Sequence, residues 1–318
     1  MPYAVAGRRH AVIVGRAAAS GAQGPSAEPR RRASHLRRFV AIAALLVVGV
    51  EVHPVLPAQT AQQFYLTVLD RDGVPIVDLQ PGDVTVTENG VPGQVMHLVR
   101  PTAAVDVFLL VDTSRNLVSA TPHLRRALLG FVDTLAGSAR MSLMVFGGTP
   151  RRVVAPTMRT AEMREAIARL FPSPGFNNSF QNALIEARRR IAEESPRRPV
   201  IVAVTSSVAS RQPSELYVRD YLNPLTRMGT PIHIVTLRRR PGDLLGSLAE
   251  IAARTGGRFA TVANHTRLDA PLAAIADEIL GQYVLTYLRP ELPADADPVD
   301  IRLSVAREGI TIRVTPVL

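Results

Sequence analysis

The sequence contains no cysteine and no tryptophan, and every one of its 37 basic residues is arginine. The absence of cysteine excludes disulfides, thiolate metal sites, a cysteine nucleophile and a lipidated bacterial N-terminus. Aromatic residues make up only 5% of the chain, and no segment interleaves aromatic and basic residues as a platform for stacked bases does. We therefore predict no nucleic-acid binding, although the formal net charge is +10.

The excess positive charge is concentrated at the N-terminus. Residues 1–58 carry eight arginines against Glu28 and Glu51, which accounts for six of the ten excess charges. A basic run over residues 30–38 precedes an apolar run over residues 39–50, and proline and small residues follow. This order is typical of a secretory signal peptide, here with cleavage after Ala58 or Ala61.

The apolar run at residues 39–50 is shorter than the stretch of about 20 residues that spans a bilayer. We predict an exported protein, either periplasmic or secreted. The alternative is that residues 39–50 stay uncut and anchor the chain, which is the only membrane contact we predict.

Two kinds of hydrophobic pattern follow along the chain. Residues 64–100 show short alternating runs broken by Asp72-Gly73 and Asn89-Gly90, which is typical of strands joined by tight turns. From about residue 104, apolar strands alternate with segments whose apolar residues recur at helical spacing, for example Leu124, Leu128, Phe131 and Leu135. This alternation predicts a mostly parallel sheet with helices on both faces.

The last segment returns to period-2 alternation, with Ile301, Leu303 and Val305 in one run and Ile310, Ile312 and Val314 in the next. We predict that these strands pack with the earlier ones as a small accessory β module. The predicted division is an Arg-rich tail and signal peptide at 1–58, an N-terminal β module at 59–101, an α/β domain at 102–281, and C-terminal strands at 282–318.

Three segments resemble the von Willebrand factor type A domain, and in particular the bacterial VWFA-related family of exported proteins. They are "VLDRDGVPIVDLQPGDVTVTENGVPGQV", "VFLLVDTSRNL" and "LAEIAARTGGRFATVANHTRLDAPLAAIADEILGQYVLTY". The resemblance runs from about residue 64 to the C-terminus. It implies a Rossmann-like α/β fold and a ligand-binding face at the C-terminal ends of the parallel strands.

The resemblance also implies a metal-ion-dependent adhesion site that holds Mg²⁺ and leaves one position for a carboxylate of the partner. Its ligands are an Asp-x-Ser-x-Ser motif, a threonine in a second loop, and an aspartate after a later strand. Asp112 and Ser114 match the first two ligands, and Asn116 replaces the second serine. Asn178 stands at the threonine position, or Ser179 if the register shifts by one. Ser206 stands where the second aspartate should be.

The loss of that second carboxylate weakens the implied metal site, because Mg²⁺ affinity in proteins depends largely on carboxylate charge. We predict a degenerate site with no tightly bound cofactor and at most weak Mg²⁺ binding. The candidate ligands are Asp112, Ser114, Asn116, Asn178, Ser179 and Ser206. The favoured interpretation is a hydrogen-bonded polar cluster in which Asp112 accepts from Ser114 and nearby backbone N–H groups and Asn116 helps to cap the next helix. A functional metal site is the alternative.

We predict no catalytic residues. Ser206 and Ser207 end a strand, where a nucleophile could stand, but no histidine with an orienting acid can be assigned beside them. His97, His123, His233 and His265 lack the spacing of a metal-ligand set, and His233 reads as a core histidine with a satisfied hydrogen bond. Asp106 opens its strand and should lie at the opposite end of the sheet from Asp112.

The function favoured by these observations is an exported, non-enzymatic protein-interaction or scaffold module with little metal dependence. The partner is a protein of unknown identity. The predicted partner-binding face comprises Asp112, Thr113, Arg115, Asn116, Asn178, Ser206 and Ser207. The alternatives are a Mg²⁺-dependent adhesin-like receptor whose partner supplies an acid, and an envelope hydrolase that uses Ser206 or Ser207.

Overall fold

The computed structural model describes residues 11–15, 60–172, 178–206, 219–220, 223–227, 229–237, 246–292 and 299–317. The predicted signal segment at residues 39–50, the cleavage sites and Ser207 lie outside these residues. No helix in the described part of the chain is long and apolar enough to cross a membrane.

The described strands and helices follow one another in this order: β1 (Ala11–Gly15), β2 (Ala61–Leu69), β3 (Val84–Glu88), β4 (Val91–Val99), β5 (Val105–Val111), α1 (Thr121–Thr134), β6 (Ala139–Val145), β7 (Arg151–Thr157), α2 (Thr160–Ala168), α3 (Phe180–Glu194), β8 (Pro199–Ser206), α4 (Asn223–Arg227), β9 (Ile232–Leu237), α5 (Gly246–Thr255), β10 (Phe259–Val262), α6 (Asp269–Leu280), β11 (Tyr283–Leu288), β12 (Val299–Val305) and β13 (Thr311–Pro316). Short 3-10 turns lie at Pro81–Asp83, Arg115–Ala120 and His265–Arg267.

A six-stranded sheet forms the centre of the α/β domain, with the order β10-β9-β8-β5-β6-β7. All neighbouring strands run parallel except β7, which is antiparallel to β6. Every residue of β5, β8 and β9 is buried, as the continuous apolar runs predict for strands covered on both faces.

Side chains of β5 alternate between two cores because successive residues of a strand point to opposite faces. Val107 and Leu109 pack into a core that also contains residues of α1, α2 and α6. Phe108 and Leu110 pack on the other face with residues of α3 and α5. The predicted helical stripe of Leu124, Leu128, Phe131 and Leu135 is buried in the first core, which confirms that prediction.

The accessory sheet has the strand order β1-β12-β3-β4-β11-β2-β13. All of its pairings are antiparallel. Strands from both ends of the chain therefore share one sheet with its own core, which includes Phe64, Val86, Leu285 and Leu303. The predicted fold class, an α/β domain with an accessory β module built from the N- and C-terminal segments, is confirmed. The residue numbers that divide the domains stay a prediction.

Two local features follow directly from the sequence. The β3–β4 turn places Asn89 and Gly90 at φ angles of 49° and 82°, which an Asn-Gly pair adopts more readily than other residues do. Strand β1 of the N-terminal tail pairs with β12, a strand that the compositional reading of the tail did not predict.

Buried and half-buried arginines join the α/β domain to the accessory sheet. Arg198 precedes β8 and donates to Gln282 Oε1 and to the Ile279 carbonyl, and its guanidinium lies 5.5 Å from the Tyr65 ring centroid on β2. On the other side, Glu278 of α6 accepts from Arg258 and lies 3.5 Å from the Nε atom of Arg313 on β13. These contacts fix the sheet that carries the candidate site relative to the accessory module.

Candidate functional site

The candidate site forms where β5 and β8 end side by side. The two strands are parallel, with Val111 opposite Val204, so their carboxyl ends meet at the same edge of the sheet. The Asp112 nitrogen donates to the Val204 carbonyl at 2.9 Å, which continues the ladder by one residue beyond β5. Asp112 therefore lies beside Thr205 and Ser206, which are 93 and 94 positions later in the sequence.

The Asp112 carboxylate accepts hydrogen bonds on both of its oxygens. Oδ1 accepts from the Ser114 backbone nitrogen at 2.8 Å. Oδ2 accepts from the Ser206 backbone nitrogen at 2.8 Å, from the Ser206 hydroxyl at 2.6 Å and from Nδ2 of Asn178 at 2.6 Å. Four donors thus satisfy a carboxylate that is fully buried, which is how proteins stabilise a buried anion.

Asn178 reaches this carboxylate from the start of α3. Its Oδ1 atom accepts from the Phe180 backbone nitrogen at 3.0 Å, so the amide oxygen satisfies one of the unpaired N–H groups of the helix N-terminus. Its Nδ2 atom therefore points to the strand ends, where it donates to Asp112 Oδ2 at 2.6 Å and to Thr205 Oγ1 at 2.7 Å. Ser179, the alternative residue, donates to the Gly148 carbonyl instead.

Asn116 lies in the 3-10 turn that follows Ser114, and α1 begins five residues later at Thr121. Its Nδ2 atom donates to Ser206 Oγ at 3.3 Å. This contact joins the turn to the end of β8, and the predicted capping role of Asn116 stays a prediction. The Ser114 hydroxyl is buried and has no hydrogen-bond partner among the described residues.

Gly147 allows the loop after β6 to approach the Asp112 loop. A Cβ atom at this position would come within 2.6 Å of the Ser114 nitrogen and the Thr113 oxygen, which is closer than real Cβ atoms approach such groups. Gly147 also forms an antiparallel bridge with Asn178. This bridge positions the asparagine whose amide closes the cluster.

Burial divides the predicted residues into an interior and a rim. Asp112, Ser114 and Ser206 are fully buried, and Thr113 is buried as well. Asn116 and Asn178 are half-buried, and Arg115 is exposed. These three residues form the rim of the site. A cavity of about 580 Å³ opens beside the rim and is lined by Gly148, Thr149, Pro150, Asn178, Ser179, Asn182, Ile185 and Glu186.

These residues do not fit a tightly held Mg²⁺ ion. The orphaned hydroxyl of Ser114 is an oxygen that a cation could use. However, Asn178 presents a nitrogen with its hydrogens at the point where the implied threonine would present an oxygen. Among the described residues of the site, Asp112 supplies the one carboxylate, and four donors already bond to it, whereas Mg²⁺ favours several oxygens with carboxylate charge among them.

Other acids do not complete the site in the described part of the chain. Asp106 is paired with Arg140 at 2.5 Å at the start of β5, and Asp133 is paired with Arg164 at 3.2 Å at the end of α1. The expectation that Asp106 lies at the opposite end of the sheet is confirmed by its position. No cluster of three or more histidines or acids among the described residues could hold a metal ion.

His233 lies within β9, where it is buried. Its Nδ1 atom accepts from the Arg258 backbone nitrogen at 3.1 Å, which confirms the prediction of a satisfied core histidine. Burial, together with the positive charges of Arg313 and Arg258, lowers the pKa of His233 from its ordinary value of 6.5 to about 3. The neutral imidazole thus belongs to the interior rather than to the strand-end site.

The Ser206 hydroxyl donates to Asp112. None of the hydrogen bonds made to Ser206 within the described residues comes from a histidine.

Thr205 and Gly147 belong to the site but were not among the site residues predicted from the sequence. The adjacency of Thr205 to Ser206 pointed to the first, whereas the Phe146-Gly147-Gly148 stretch reads as an ordinary turn unless the distance to residues 113–114 is known.

Comparison with known proteins finds similarity to a domain family over part of the chain. Residues 107–208 match the model described as the von Willebrand factor type A domain. No curated protein sequence matches the chain. Among solved structures, it is similar to a von Willebrand factor type A protein from Catenulispora acidiphila, with 12% identity, a TM-score of 0.50, and coverage of 81% of this chain and 65% of that chain.

Two further solved structures show weaker similarity. The conserved hypothetical protein BatB from Bacteroides thetaiotaomicron is 16% identical with a TM-score of 0.46, over 55% of this chain and 97% of that chain. Proximal thread matrix protein 1 from the mussel byssus, with a zinc-occupied MIDAS motif, is 15% identical with a TM-score of 0.48, over 62% of this chain and 50% of that chain.

Proposed function

This chain carries a von Willebrand factor type A domain, and we propose that it is an exported, non-enzymatic protein-interaction module that needs little or no metal. The observation that carries the proposal is the closed polar cluster at the carboxyl ends of β5 and β8. Asp112, Asn178 and Ser206 bond to one another, so the buried carboxylate has hydrogen-bond donors without an ion or a substrate.

The rim of the cluster is the part that contacts a partner. Asp112, Thr113 and Ser206 are buried, so they hold the loops in place rather than touch a partner protein. Exposed Arg115, with half-buried Asn116 and Asn178, offers charge and amide groups to a partner surface. Arginine is enriched at protein interfaces because its planar guanidinium makes several hydrogen bonds. Ser207 completes the proposed face by its position in the sequence.

Capture of envelope proteins on the immobilised chain tests this proposal. We expect a partner that is retained equally in EDTA and in Mg²⁺ and is lost with Arg115→Glu. Arg159→Glu is the matched control, because Arg159 lies at the other edge of the sheet. It follows β7, whose last residue lies opposite Met141 near the start of β6, and it precedes α2. Retention of the same partner by Arg115→Glu would refute the role of the rim.

The second candidate function is a Mg²⁺-dependent adhesin-like receptor. The buried, orphaned hydroxyl of Ser114 favours it, because a cation bound beside Asp112 would give that oxygen a partner. Under this alternative, an acidic group of the partner completes the coordination. Loss of every captured partner in EDTA, with recovery in Mg²⁺, would select the receptor over the metal-independent module.

A further inference from the structure

Three oxygens of the cluster converge on one nitrogen. Nδ2 of Asn178 lies 2.6 Å from Asp112 Oδ2, 2.7 Å from Thr205 Oγ1 and 3.3 Å from Ser206 Oγ. These oxygens come from the ends of β5 and β8, and the nitrogen comes from the segment before α3. A single atom of the segment before α3 therefore joins the ends of two strands.

The neighbouring hydrogen bonds determine which end of the amide faces the oxygens. The Phe180 N–H donates to Oδ1 of Asn178, so a flipped amide would set its NH₂ group against that N–H and its oxygen against the Asp112 carboxylate. The Thr205 hydroxyl donates to the Ser206 carbonyl at 3.1 Å, and the Ser206 hydroxyl donates to Asp112. Both hydroxyl oxygens therefore have lone pairs available to accept from the amide nitrogen.

We propose that the Asn178 side-chain nitrogen acts as a built-in substitute for a cation and joins the oxygens that a metal ion would otherwise hold together. This inference deepens the metal independence in the proposed function and rests on it. The amide carries partial positive charge on its two hydrogens, which suits one formal carboxylate and two neutral hydroxyls. A divalent ion in the same position would face only the single charge of Asp112.

The link through Asn178 also bears on whether divalent ions regulate the face. The link is part of the covalent chain, so it does not dissociate when free cations are removed. The loops at residues 112–116 and 178–180 therefore keep one arrangement in the presence or absence of divalent ions. The rim residues on these loops therefore keep their binding arrangement with or without divalent ions.

Asn178→Asp tests the inference because it exchanges the nitrogen for a second carboxylate oxygen of nearly the same size. We expect its Tm in EDTA to fall several degrees below that of wild type, since two carboxylates then face each other without the amide donor of Asn178 between them. We expect about 10 mM Mg²⁺, Mn²⁺ or Ca²⁺ to restore the Tm, because an ion that binds only the folded state stabilises it. The wild-type Tm should be the same in EDTA and in each cation.

Asn182→Asp is the matched control, since Asn182 is exposed one turn further along α3. Its Tm should remain near that of wild type in every buffer. The inference is overturned if Asn178→Asp behaves like Asn182→Asp, if Asn178→Asp folds but no divalent ion raises its Tm, or if wild type shows a rise in Tm with Mg²⁺ that Asp112→Asn abolishes.

Asn178→Ala covers the case in which Asn178→Asp does not fold in EDTA or in the cations. It removes the nitrogen without adding charge, and we expect a Tm about 4–8 °C below that of Asn182→Ala, with no response to cations. Equal Tm values for the two alanine variants would overturn the inference. These measurements need no partner, so failure of the capture experiment leaves their outcome unaffected.

Discussion

Ser206 donates two hydrogen bonds to the same oxygen of Asp112, one from its backbone nitrogen at 2.8 Å and one from its hydroxyl at 2.6 Å. A second aspartate at position 206 would instead bring another negative charge to this oxygen and would need a cation between the two. With serine at position 206, hydrogen bonds hold the ends of β5 and β8 together, whereas two carboxylates would repel each other.

Asp112→Ala should be the most destabilising substitution in the cluster. It leaves the backbone N–H groups of Ser114 and Ser206 and the amide of Asn178 without their acceptor, and each buried unpaired donor costs about 1–3 kcal/mol. We expect the free energy of unfolding to fall by about 4 kcal/mol in urea titrations.

Ser206→Ala removes only the hydroxyl and keeps the backbone donor to Asp112. We expect it to lower the free energy of unfolding by about 1 kcal/mol.

The control for Asp112→Ala is Asp133→Ala, which breaks an exposed pair with Arg164. Its free energy of unfolding should stay within about 0.5 kcal/mol of that of wild type. If Asp112→Ala costs no more than Asp133→Ala, the hydrogen-bonded cluster does not contribute to stability.

Gly147→Ala should disturb the same cluster through the backbone. The added methyl group would meet the Thr113 oxygen and the Ser114 nitrogen at 2.6 Å, so the Asp112 loop must shift. We expect a loss of about 2 kcal/mol in the free energy of unfolding, together with weaker capture of the partner.

Gly130→Ala provides the comparison for this variant, because Gly130 lies in α1 with nothing within 4 Å of an added Cβ. It should raise the free energy of unfolding by about 0.5–1 kcal/mol, since alanine favours the helix over glycine. Equal effects of the two glycine substitutions would argue against the close approach at Gly147.

His233 should make the protein less stable in acid. Its pKa is about 3 in the folded protein, against an ordinary value of 6.5, mainly because it is buried. The unfolded chain therefore binds a proton between pH 6.5 and 3 that the folded chain does not bind, so stability falls as the pH drops through this range. The contribution is at most about 1.4 kcal/mol per pH unit.

Glu278, which lies 3.8 Å from His233, has the opposite effect, because burial raises its pKa and the folded state then gains stability as the pH falls. Comparison of wild type with His233→Asn isolates the histidine, since Glu278, Arg258 and Arg313 remain in both proteins. We expect the variant to lose less stability than wild type between pH 6.5 and 4 in urea titrations. Parallel losses would contradict the depressed pKa.

Arg198→Lys should loosen the junction between the α/β domain and the accessory sheet. Lysine cannot reproduce the contacts of the guanidinium with Gln282 at 2.8 and 3.1 Å and with the Ile279 carbonyl at 2.9 Å. We expect a loss of about 2 kcal/mol in the free energy of unfolding. Arg197→Lys, at the exposed neighbouring position, should change it by less than about 0.5 kcal/mol. Similar losses for both would show that the buried contacts are not important to the junction.

Much of the fold could be predicted from the sequence because it depends on periodicity. The stripe at Leu124, Leu128 and Phe131 recurs at helical spacing, and the apolar run of β5 has the short length that favours a buried strand. The antiparallel accessory sheet was predictable from the alternation in its strands. The pairing order of that sheet was not predictable, since Leu66 and Val314 lie opposite each other at the two ends of the chain.

The candidate site divides in the same way. The resemblance to the von Willebrand factor type A domain implied that Asp112 and Ser206 meet, since that family's site takes ligands from the ends of both strands. The contact of Gly147 with residues 113–114 could not be predicted, since nothing in a Gly-Gly pair reveals what approaches it.

The sequence by itself determined the α/β pattern, the position of the strand-end face and the absence of a second acid at Ser206. Only the tertiary structure decided what the face does with the single carboxylate of Asp112. An asparagine can offer either an oxygen or a nitrogen, and its neighbours select between them. At Asn178 the Phe180 N–H takes the oxygen, and the nitrogen is left to join the strand ends.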